Sequence, residues 1–469
     1  MSKLKAIHLL IVAGSLAVSS AAYATEYYVC YNATECNSGA GSNWSSGSSG
    51  NSGLSKSSPW QCPDDVEGNL SAGDVVIFGD GNYTFSRCGS GNEILNLNGT
   101  KGTSSDWIVL RAENKWGAVF DGQDTASSSD NRSRYLVKVS GASYIRFEDF
   151  EMKSAQVIFH GNDQSRIAHH LHFKGMRLHD CGLACIHSGV GVNHDWIIEA
   201  NYIYDIVDRA SDPCNHNHGA YLHGYNHTLV NNVLYSGFGG SLLSVGGICS
   251  LNGQNDPPDF THTIWAINNT FDGNGCVLST SARDSIDFYN RQFANADNCA
   301  NKSPSGTPRN FKNVRFDNNL FLHGETQNDS SGRGAQFVSS DSTTNESVSC
   351  THWPWYQPGC STQARGTAGY LEFNNNVSET RAQNSQYQGF TTVYSQNCDS
   401  CTSINLTNET GHDYEPTVDS SAIIGTGSPT YAPIDDILGN PRDPGSVDVG
   451  AYQISTSGPR PNPPVFSGN

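Results

Sequence analysis

One segment of this 469-residue chain concentrates side chains that can move protons and bind carboxylates. Its members are Asp208, Arg209, Asp212, His216, His218, Tyr221 and His223. Because a guanidinium neutralises a carboxylate through paired hydrogen bonds, Arg209 is predicted to bind a substrate carboxylate. Imidazole and phenol groups serve as general bases and acids, so His218 or His223 is the predicted base and Tyr221 the predicted acid. The alternative is structural: His218 hydrogen-bonds at a bend, and Tyr221 packs on a neighbouring strand.

His187 extends this candidate site if its strand stacks on the strand that ends at His223. The segments Ala184–His187 and Ala220–His223 share an alternating apolar pattern, and successive side chains of a strand point to opposite faces. The residues predicted to point outward are Cys185, His187, Tyr221, His223, Ser244 and Ser279. As stacked neighbours, His187 and His223 would share a site or bind a metal ion. The alternative is a solvated histidine pair.

Cationic side chains elsewhere are predicted to bind substrate. Arg283, Tyr289 and Arg291 lie close together in one inserted loop, where they either hold a carboxylate or form a salt-bridged loop. Lys174 lies on an earlier strand and is a further basic candidate, although a lone lysine is usually only solvated.

Two tryptophans form a candidate sugar platform. Trp353 and Trp355 lie in the loop Cys350–Cys360, which a disulfide would hold. Aromatic faces stack on the apolar faces of sugar rings, so this loop is predicted to contact a sugar, unless its rings pack against the protein.

Calcium is the cofactor that the sequence leaves open. Asp205, Asp208 and Asp212 supply hard oxygen ligands, but no EF-hand pattern or nine-residue calcium-binding repeat accompanies them. The net charge of −18 is compatible with calcium and argues against nucleic acid or an anionic membrane as a partner. The same charge disfavours a polyanion unless a local basic cleft overrides it.

The first residues are typical of a secretory signal peptide. Lys3 and Lys5 precede the apolar stretch Ala6–Val18, and Ala22–Ala24 provides a small-x-small cleavage signal. No later segment has the roughly 18 consecutive apolar residues of a membrane span. The mature protein is therefore expected to be exported, to the extracellular space or the periplasm.

All 14 cysteines follow the predicted cleavage point, which favours disulfides. The short spacings suggest the pairs Cys30/Cys36, Cys350/Cys360 and Cys398/Cys401. Metal binding by Cys181 and Cys185, or by Cys398 and Cys401, is the alternative, but neither pair has the companion ligands of a zinc site.

A recurring pattern organises the chain: alternating apolar residues, then asparagine or a related residue, then another apolar pair and a turn that contains glycine. Its copies are Tyr144–Met152, Leu171–Leu178, Trp196–Ile203, Thr228–Leu234, Ile264–Phe271, Val314–Phe321 and Tyr370–Val377. The second inward residues are 147, 173, 198, 229, 266, 316 and 373, so the shortest step is 25 residues. This period predicts turns of a β-solenoid, with the longer steps carrying inserted loops. The asparagines would stack at a bend, where this residue tolerates left-handed backbone angles.

The chain resembles the right-handed parallel β-helix proteins, which include many polysaccharide lyases. The segments that carry the resemblance are Tyr27–Val29, Asn51–Trp60, Ala72–Phe78, Gly81–Thr84, Gly102–Ala112, Phe120–Gln123, His218–Tyr221, Asp436–Arg442 and Asp448–Tyr452. The resemblance implies an all-β right-handed parallel β-helix with long loop insertions and disulfides. The expected organisation is a signal peptide (1–24) and one β-helix domain (25–469). Within that domain we expect a cap region (25–135), a repeat core (136–410), a C-terminal cap (411–453) and a tail (454–469).

The resemblance implies a secreted enzyme acting on extracellular polysaccharide, and foremost a lyase that cleaves a uronate-containing glycan by β-elimination. Hydrolysis needs two carboxylates, for which Asp284 with Asp287 or Asp208 with Asp212 are candidates. Uronate epimerisation begins with the same proton abstraction. A non-catalytic surface, fibre or adhesion protein would share the scaffold, because a fold does not specify a function.

Overall fold

The chain coils so that successive turns contribute strands to three walls, and neighbouring strands within a wall pair in parallel. In this computed structural model the described residues are 24–39, 43–124, 134–163, 166–189, 192–206, 218–236, 242–246, 258–273, 286–288, 313–322, 337–338, 370–378, 391–395, 398 and 401–454. The predicted right-handed parallel β-helix is confirmed.

The first wall is a sheet of eleven strands within the described ranges. They are β1 (Glu26–Val29), β2 (Val75–Phe78), β5 (Ile108–Ala112), β8 (Ser143–Glu148), β10 (His169–Lys174), β12 (His194–Glu199), β15 (His227–Val230), β18 (Ile264–Ile267), β21 (Val314–Asp317), β24 (Tyr370–Asn374) and β26 (Thr391–Ser395). Two of these strands, β5 and β8, alternate strictly between buried and partly exposed residues, as expected of a sheet with one face on the core.

The second and third walls form one sheet, because two long strands bend through both: β9 (Glu151–His160) and β11 (Arg177–His187). The second wall adds β3 (Gly81–Thr84), β6 (Ala118–Asp121), β13 (Tyr202–Tyr204), β16 (Val233–Ser236), β19 (Thr270–Gly273), β22 (Leu320–Leu322) and β25 (Val377–Ser378). The third wall adds β4 (Leu95–Asn96), β7 (Tyr135–Lys138), β14 (His218–His223), β17 (Leu243–Gly246), β20 (Ile286–Phe288) and β23 (Phe337–Val338). Ser154 and Asp180, with φ of 57° and 54°, make the bends of the two long strands.

Short elements lie outside the walls. They are α1 (Ala33–Cys36), a 3₁₀ turn (Pro63–Val66), α2 (Phe85–Cys88), a second 3₁₀ turn (Glu409–Gly411) and the antiparallel pair β27 (Leu406–Asn408) and β28 (Asp413–Pro416). Near the C-terminus the buried Arg442 guanidinium donates to the carbonyls of Asp448 and Gly450 and to Oδ1 of Asn231. These bonds join the C-terminal segment to the coil. Among the described residues no helix has the length and apolar character needed to cross a membrane.

The repeat spacing predicted the register of the first wall correctly at each step. The seven residues chosen from sequence are successive Cα partners on neighbouring strands: Phe147, Phe173, Ile198, Leu229, Ala266, Phe316 and Phe373. The rings of Phe147 and Phe173 stack inside the core with centroids 5.7 Å apart. Each long step between later copies therefore adds one strand to the first wall, as the short steps do.

An asparagine ladder runs along the corner between the first and second walls. Its members are Asn201, Asn232, Asn269, Asn319 and Asn376, and each Nδ2 donates to Oδ1 of the next at 2.9–3.0 Å. The residue before each member is left-handed, with φ of 55° to 58°: Ala200, Asn231, Asn268, Asn318 and Asn375. The predicted stacking of asparagine at a bend is confirmed.

The disulfides within the described residues are Cys30–Cys36, Cys62–Cys88, Cys181–Cys185 and Cys398–Cys401. The first and last confirm predicted pairs, while Cys350/Cys360 lies outside the described residues. The prediction that Cys185 points outward is wrong. An irregularity in β11 between Cys181 and Ala184 breaks the strict alternation, so Cys185 lies fully buried in the core.

Candidate functional site

Five residues on successive strands of the third wall form what we call the third-wall column: Lys138, His160, His187, Tyr221 and Ser244. They are consecutive Cα partners on β7, β9, β11, β14 and β17. Parallel pairing with a side-chain period of two keeps partners on the same face. The column therefore gathers a cation, two imidazoles, a phenol and a hydroxyl from segments far apart in sequence.

The rings of the column form a continuous series of contacts. The Tyr135 ring stacks on His160 with centroids 4.1 Å apart, and His160 contacts His187 at 5.7 Å. His187 in turn stacks on Tyr221 at 4.9 Å and 28°. Each ring is thus positioned by the ring on the preceding turn of the coil, and we call each such turn a rung.

Two further histidines of β14 flank the phenol ring of Tyr221. His218 stacks on it at 4.9 Å and 11°, and His223 meets it edge-on at 4.6 Å. The backbone of His223 is fixed by Ser188, whose Oγ accepts from its N–H at 2.6 Å. A Cβ at Gly246 would lie 2.5 Å from the His223 ring, so glycine is needed at the next rung. Three predicted catalytic residues, His218, Tyr221 and His223, are thereby brought together.

The predicted stacking of His187 on His223 is wrong. Ile186 pairs with Ala220, and His187 therefore lies over Tyr221, two residues before His223. An even shift leaves the inward and outward faces unchanged, whereas an odd shift would exchange them. His187 consequently still joins the predicted site, through Tyr221 rather than through His223.

Burial keeps the histidines of the column neutral. Burial and the nearby Lys138 ammonium lower the pKa of His160 to about 4. Burial, with His160 and His218 close by, lowers the pKa of His187 well below its usual value. Nδ1 of His187 is buried and has no hydrogen-bond partner in the described part of the chain. A neutral imidazole with such a nitrogen is suited to exchange a proton or a hydrogen bond with a ligand.

These lowered pKa values predict that acid destabilises the fold. A histidine with a native pKa of about 4 contributes stability that is complete above pH 6.5 and is lost as the pH falls from there towards 4, because only the unfolded chain then binds the proton. For His160 alone the loss between pH 7 and pH 5 is about 2 kcal/mol. Urea unfolding at both pH values measures it, and His160→Asn should lose less stability over this interval than the parent. Equal losses in both proteins would contradict the assignment.

The other predicted residues lie elsewhere. Lys174 is on the first wall, where its Nζ lies 2.9 Å from Oε1 of Glu199, and His172 is 2.7 Å from the other oxygen. Although burial opposes ionisation, these two partners lower the pKa of Glu199 to about 2. Lys174 is thus an ion-paired residue away from the third-wall column. The predicted residues outside the described ranges are Asp208, Arg209, Asp212, His216, Ser279, Arg283, Asp284, Tyr289, Arg291, Trp353 and Trp355.

The calcium candidate Asp205 lies at the corner between the second and third walls. Asp205 is exposed, and partial desolvation together with the adjacent Asp180 raises its pKa. Asp180 accepts a 2.7 Å hydrogen bond from His179. Calcium takes six to eight oxygen ligands, and these two carboxylates alone do not supply them. The described residues at this corner therefore do not by themselves make a calcium site.

Sequence reasoning missed Lys138 and His160 as members of the site. The sequence does contain a shared pattern. In both strands two apolar residues precede the final histidine, His160 or His187, and a glycine follows that histidine after at most one residue. The pattern gains meaning only when both strands are known to be neighbours on one wall.

Neither a protein-family model nor a curated protein matches the chain. Among solved structures, pectate lyase Pel9A is 14% identical with a TM-score of 0.47, over 92% of this chain and 98% of that one. An alginate lyase from Paenibacillus sp. str. FPU-7 is 15% identical with a TM-score of 0.39, over 72% and 91%.

A mannuronic acid specific polysaccharide family 6 lyase from human gut microbiota is 16% identical with a TM-score of 0.39, over 71% of this chain. The chain spans 55% of that lyase's length. The parallel β-helix of this chain is established by its own strand pairing.

Proposed function

We propose that this protein is a secreted polysaccharide lyase that cleaves an acidic, uronate-containing glycan by β-elimination at the third-wall column. The observation that carries the proposal is the setting of Tyr221, whose phenol ring lies against the rings of His187 and His218. His223 contacts the same ring from its edge. A phenol surrounded by imidazoles offers both the acid and the base that an elimination needs.

In this proposal, His218 or His223 removes the proton α to the uronate carboxylate. The electrons of the broken C–H bond form a C=C bond as the C–O bond to the leaving sugar breaks. Tyr221 protonates the leaving oxygen, and solvent returns the base and the phenol to their starting states. Arg209, predicted from sequence, neutralises the substrate carboxylate, which makes the α proton acidic enough to be removed.

A chain of net charge −18 repels a polyanion over most of its surface. In this proposal, cations near the third-wall column offset that repulsion locally. Lys138 lies three rungs from Tyr221, roughly 14 Å at about 4.8 Å per rung, where it would face the carboxylate of a neighbouring sugar. Its ion pair with Glu93, at 2.9 Å, holds the ammonium at that end of the column. Arg283 and Arg291 are the further cations that we assign to substrate binding.

Export fits the same proposal. The N-terminal signal pattern directs the chain out of the cytoplasm. Each cysteine in the described ranges is paired, and disulfides persist in oxidising compartments. An extracellular or periplasmic site is also where a polysaccharide substrate would be met.

Incubation with alginate, pectate and glycosaminoglycans tests the reaction. We expect ultraviolet absorbance to rise with one of these polymers, because each elimination leaves an unsaturated sugar at the new end. Parallel reactions with added calcium and with a chelator decide whether calcium takes part. Release of reducing sugar without ultraviolet absorbance would indicate a hydrolase instead of a lyase. A change in the ratio of the two uronate epimers without cleavage of the polymer would indicate an epimerase. No change in any polymer would contradict the enzymatic proposal.

A further inference from the structure

A second cluster of histidines lies where the chain enters the first wall. It is formed by His169 and His170 at the start of β10 and by His194 and Asp195 at the start of β12. The two strands are neighbours, with His169 paired to His194. The third-wall column does not include these residues, and the inference below does not depend on the proposed lyase activity.

The backbone places the side chains of His170 and Asp195 on adjacent rungs. Tyr144, His170, Asp195 and Asn226 occupy the same corner on successive rungs, with φ of 54°, 51°, 56° and 55°. This left-handed conformation is uncommon for residues other than glycine, asparagine, aspartate and histidine, and Tyr144 adopts it at the same corner. Because it repeats from rung to rung, the direction of each side chain at the corner is set by the coil itself.

Three potential ligand atoms converge there. The nearest approaches are between Nδ1 of His194 and Oδ2 of Asp195, at 2.5 Å, and between Nε2 of His170 and the same oxygen, at 3.8 Å. The ligand atoms of His170, His194 and Asp195 all lie within 4.8 Å of one another. A tetrahedral zinc ion with bonds of about 2.0–2.1 Å needs its ligand atoms roughly 3.3 Å apart. The atoms therefore need to move by about an ångström or less.

We propose that His170, His194 and Asp195 bind a zinc ion that joins two neighbouring rungs of the coil. Two imidazole nitrogens and one carboxylate oxygen form a set that zinc accepts, whereas calcium requires oxygen ligands. The three side chains are 15–33% exposed, so an ion can enter from solvent and a water can take the fourth position. Three protein ligands with one open position is the arrangement found in catalytic rather than structural zinc sites.

The surroundings orient the ligand rings before any ion arrives. Nδ1 of His170 lies 2.9 Å from Nδ1 of His169, so a His170 that binds metal through Nε2 can donate its other ring proton to His169. The His194 ring is stacked between His169, at 4.9 Å and 2°, and Tyr225, at 4.7 Å and 12°. Such outer partners fix the tautomer and orientation of a ligand histidine.

The His170 ring is held in the same way, since it stacks on Tyr144 at 4.4 Å. The Asp195 carboxylate is positioned by the His194 ring, whose Nδ1 lies 2.5 Å from its Oδ2. Each proposed ligand therefore has a neighbour that limits its rotation. This outer arrangement distinguishes the cluster from a set of solvated surface histidines.

Metal analysis of the full-length secreted protein tests the proposal. After removal of metals with a chelator and dialysis against Zn²⁺, we expect one zinc per chain by elemental mass spectrometry and a single site by calorimetry. Co²⁺ in place of Zn²⁺ should give the visible absorption bands of a tetrahedral site. Retention of the zinc in excess Ca²⁺ is also expected. Failure of the metal-stripped, folded parent protein to bind Zn²⁺ or Co²⁺ would overturn the proposal without reference to any variant or to lyase activity.

Variants assign the ligands. His194→Ala and Asp195→Asn should each weaken zinc binding by more than about 100-fold, and His169→Ala by about 10- to 100-fold as an outer partner. His172→Gln, on the same strand β10 but bonded to Glu199, is the matched control and should bind zinc as the parent does. Circular dichroism confirms that each variant is folded. Unchanged affinity in a folded His194→Ala or Asp195→Asn protein would refute the site.

Discussion

Replacing Tyr221 by phenylalanine is expected to lower turnover of the acidic glycan by about 10²- to 10⁴-fold, the range typical for loss of a general acid or base. The change removes one hydroxyl and keeps the ring that stacks on His187 and His218. Because those ring contacts remain, the fold and the affinity for the polymer should change little. The loss should therefore appear in kcat rather than in KM.

A matched substitution separates chemistry from packing. Tyr204 on the second wall is stacked between His179, at 4.6 Å, and Tyr235, at 5.1 Å, in a similar series of rings. Tyr204→Phe should leave turnover within about twofold of the parent, since it lies on another wall and outside the proposed site. The rate of absorbance increase at saturating polymer, measured for both variants and the parent, gives the comparison. Equal activity of Tyr221→Phe and the parent would remove Tyr221 from the mechanism.

The first wall could be predicted from sequence because apolar and polar residues alternate closely along its strands. Phe147 and Phe173 have polar neighbours on both sides and Ile198 has Glu199 on one, so only one register places all of them in the core. In the five later copies an asparagine three residues after the inward residue adds a second marker. Where two independent signals agree, stacking partners tens of residues apart can be identified.

The third wall lacked that second marker. Its strands are preceded by insertions of different length, and similar short patterns, such as Ala-x-Ile-His and Ala-x-Leu-His, aligned two residues away from the true partners. The structural reason is that Ile186 packs over the small Ala220, while Leu222 pairs with Val245. The alternation of faces was predicted correctly for His187 and Tyr221, but the identity of their neighbours was not.

The members of both sites that sequence reasoning missed share one property. Lys138 and His160, like His170 and Asp195, become neighbours only through stacking of rungs about 25 residues apart. No local spacing motif marks them, because each rung contributes one or two residues. In a solenoid the residues of a site come from successive strands stacked along the axis. The register between those strands must therefore be known before such a site can be recognised.

The asparagine ladder carries the largest predicted effect on stability. Asn269 lies at its centre, fully buried, where Oδ1 accepts from the backbone N–H and the Nδ2 of Asn232. Its own Nδ2 donates to the Leu229 carbonyl and to Oδ1 of Asn319. Leucine at this position has a similar volume and no polar atoms. The substitution therefore leaves several buried donors and acceptors unpaired at once.

Asn269→Leu is expected to lower the free energy of unfolding by roughly 3–6 kcal/mol, since each unpaired buried group costs about 1–3 kcal/mol. That is a large share of the total for a typical domain. The exposed Asn82→Ala is the control and should change stability by less than about 0.5 kcal/mol. Urea unfolding monitored by circular dichroism measures both. A loss under about 1 kcal/mol for Asn269→Leu would mean that water reaches the ladder and that packing of the apolar core, rather than these amide bonds, holds successive turns in register.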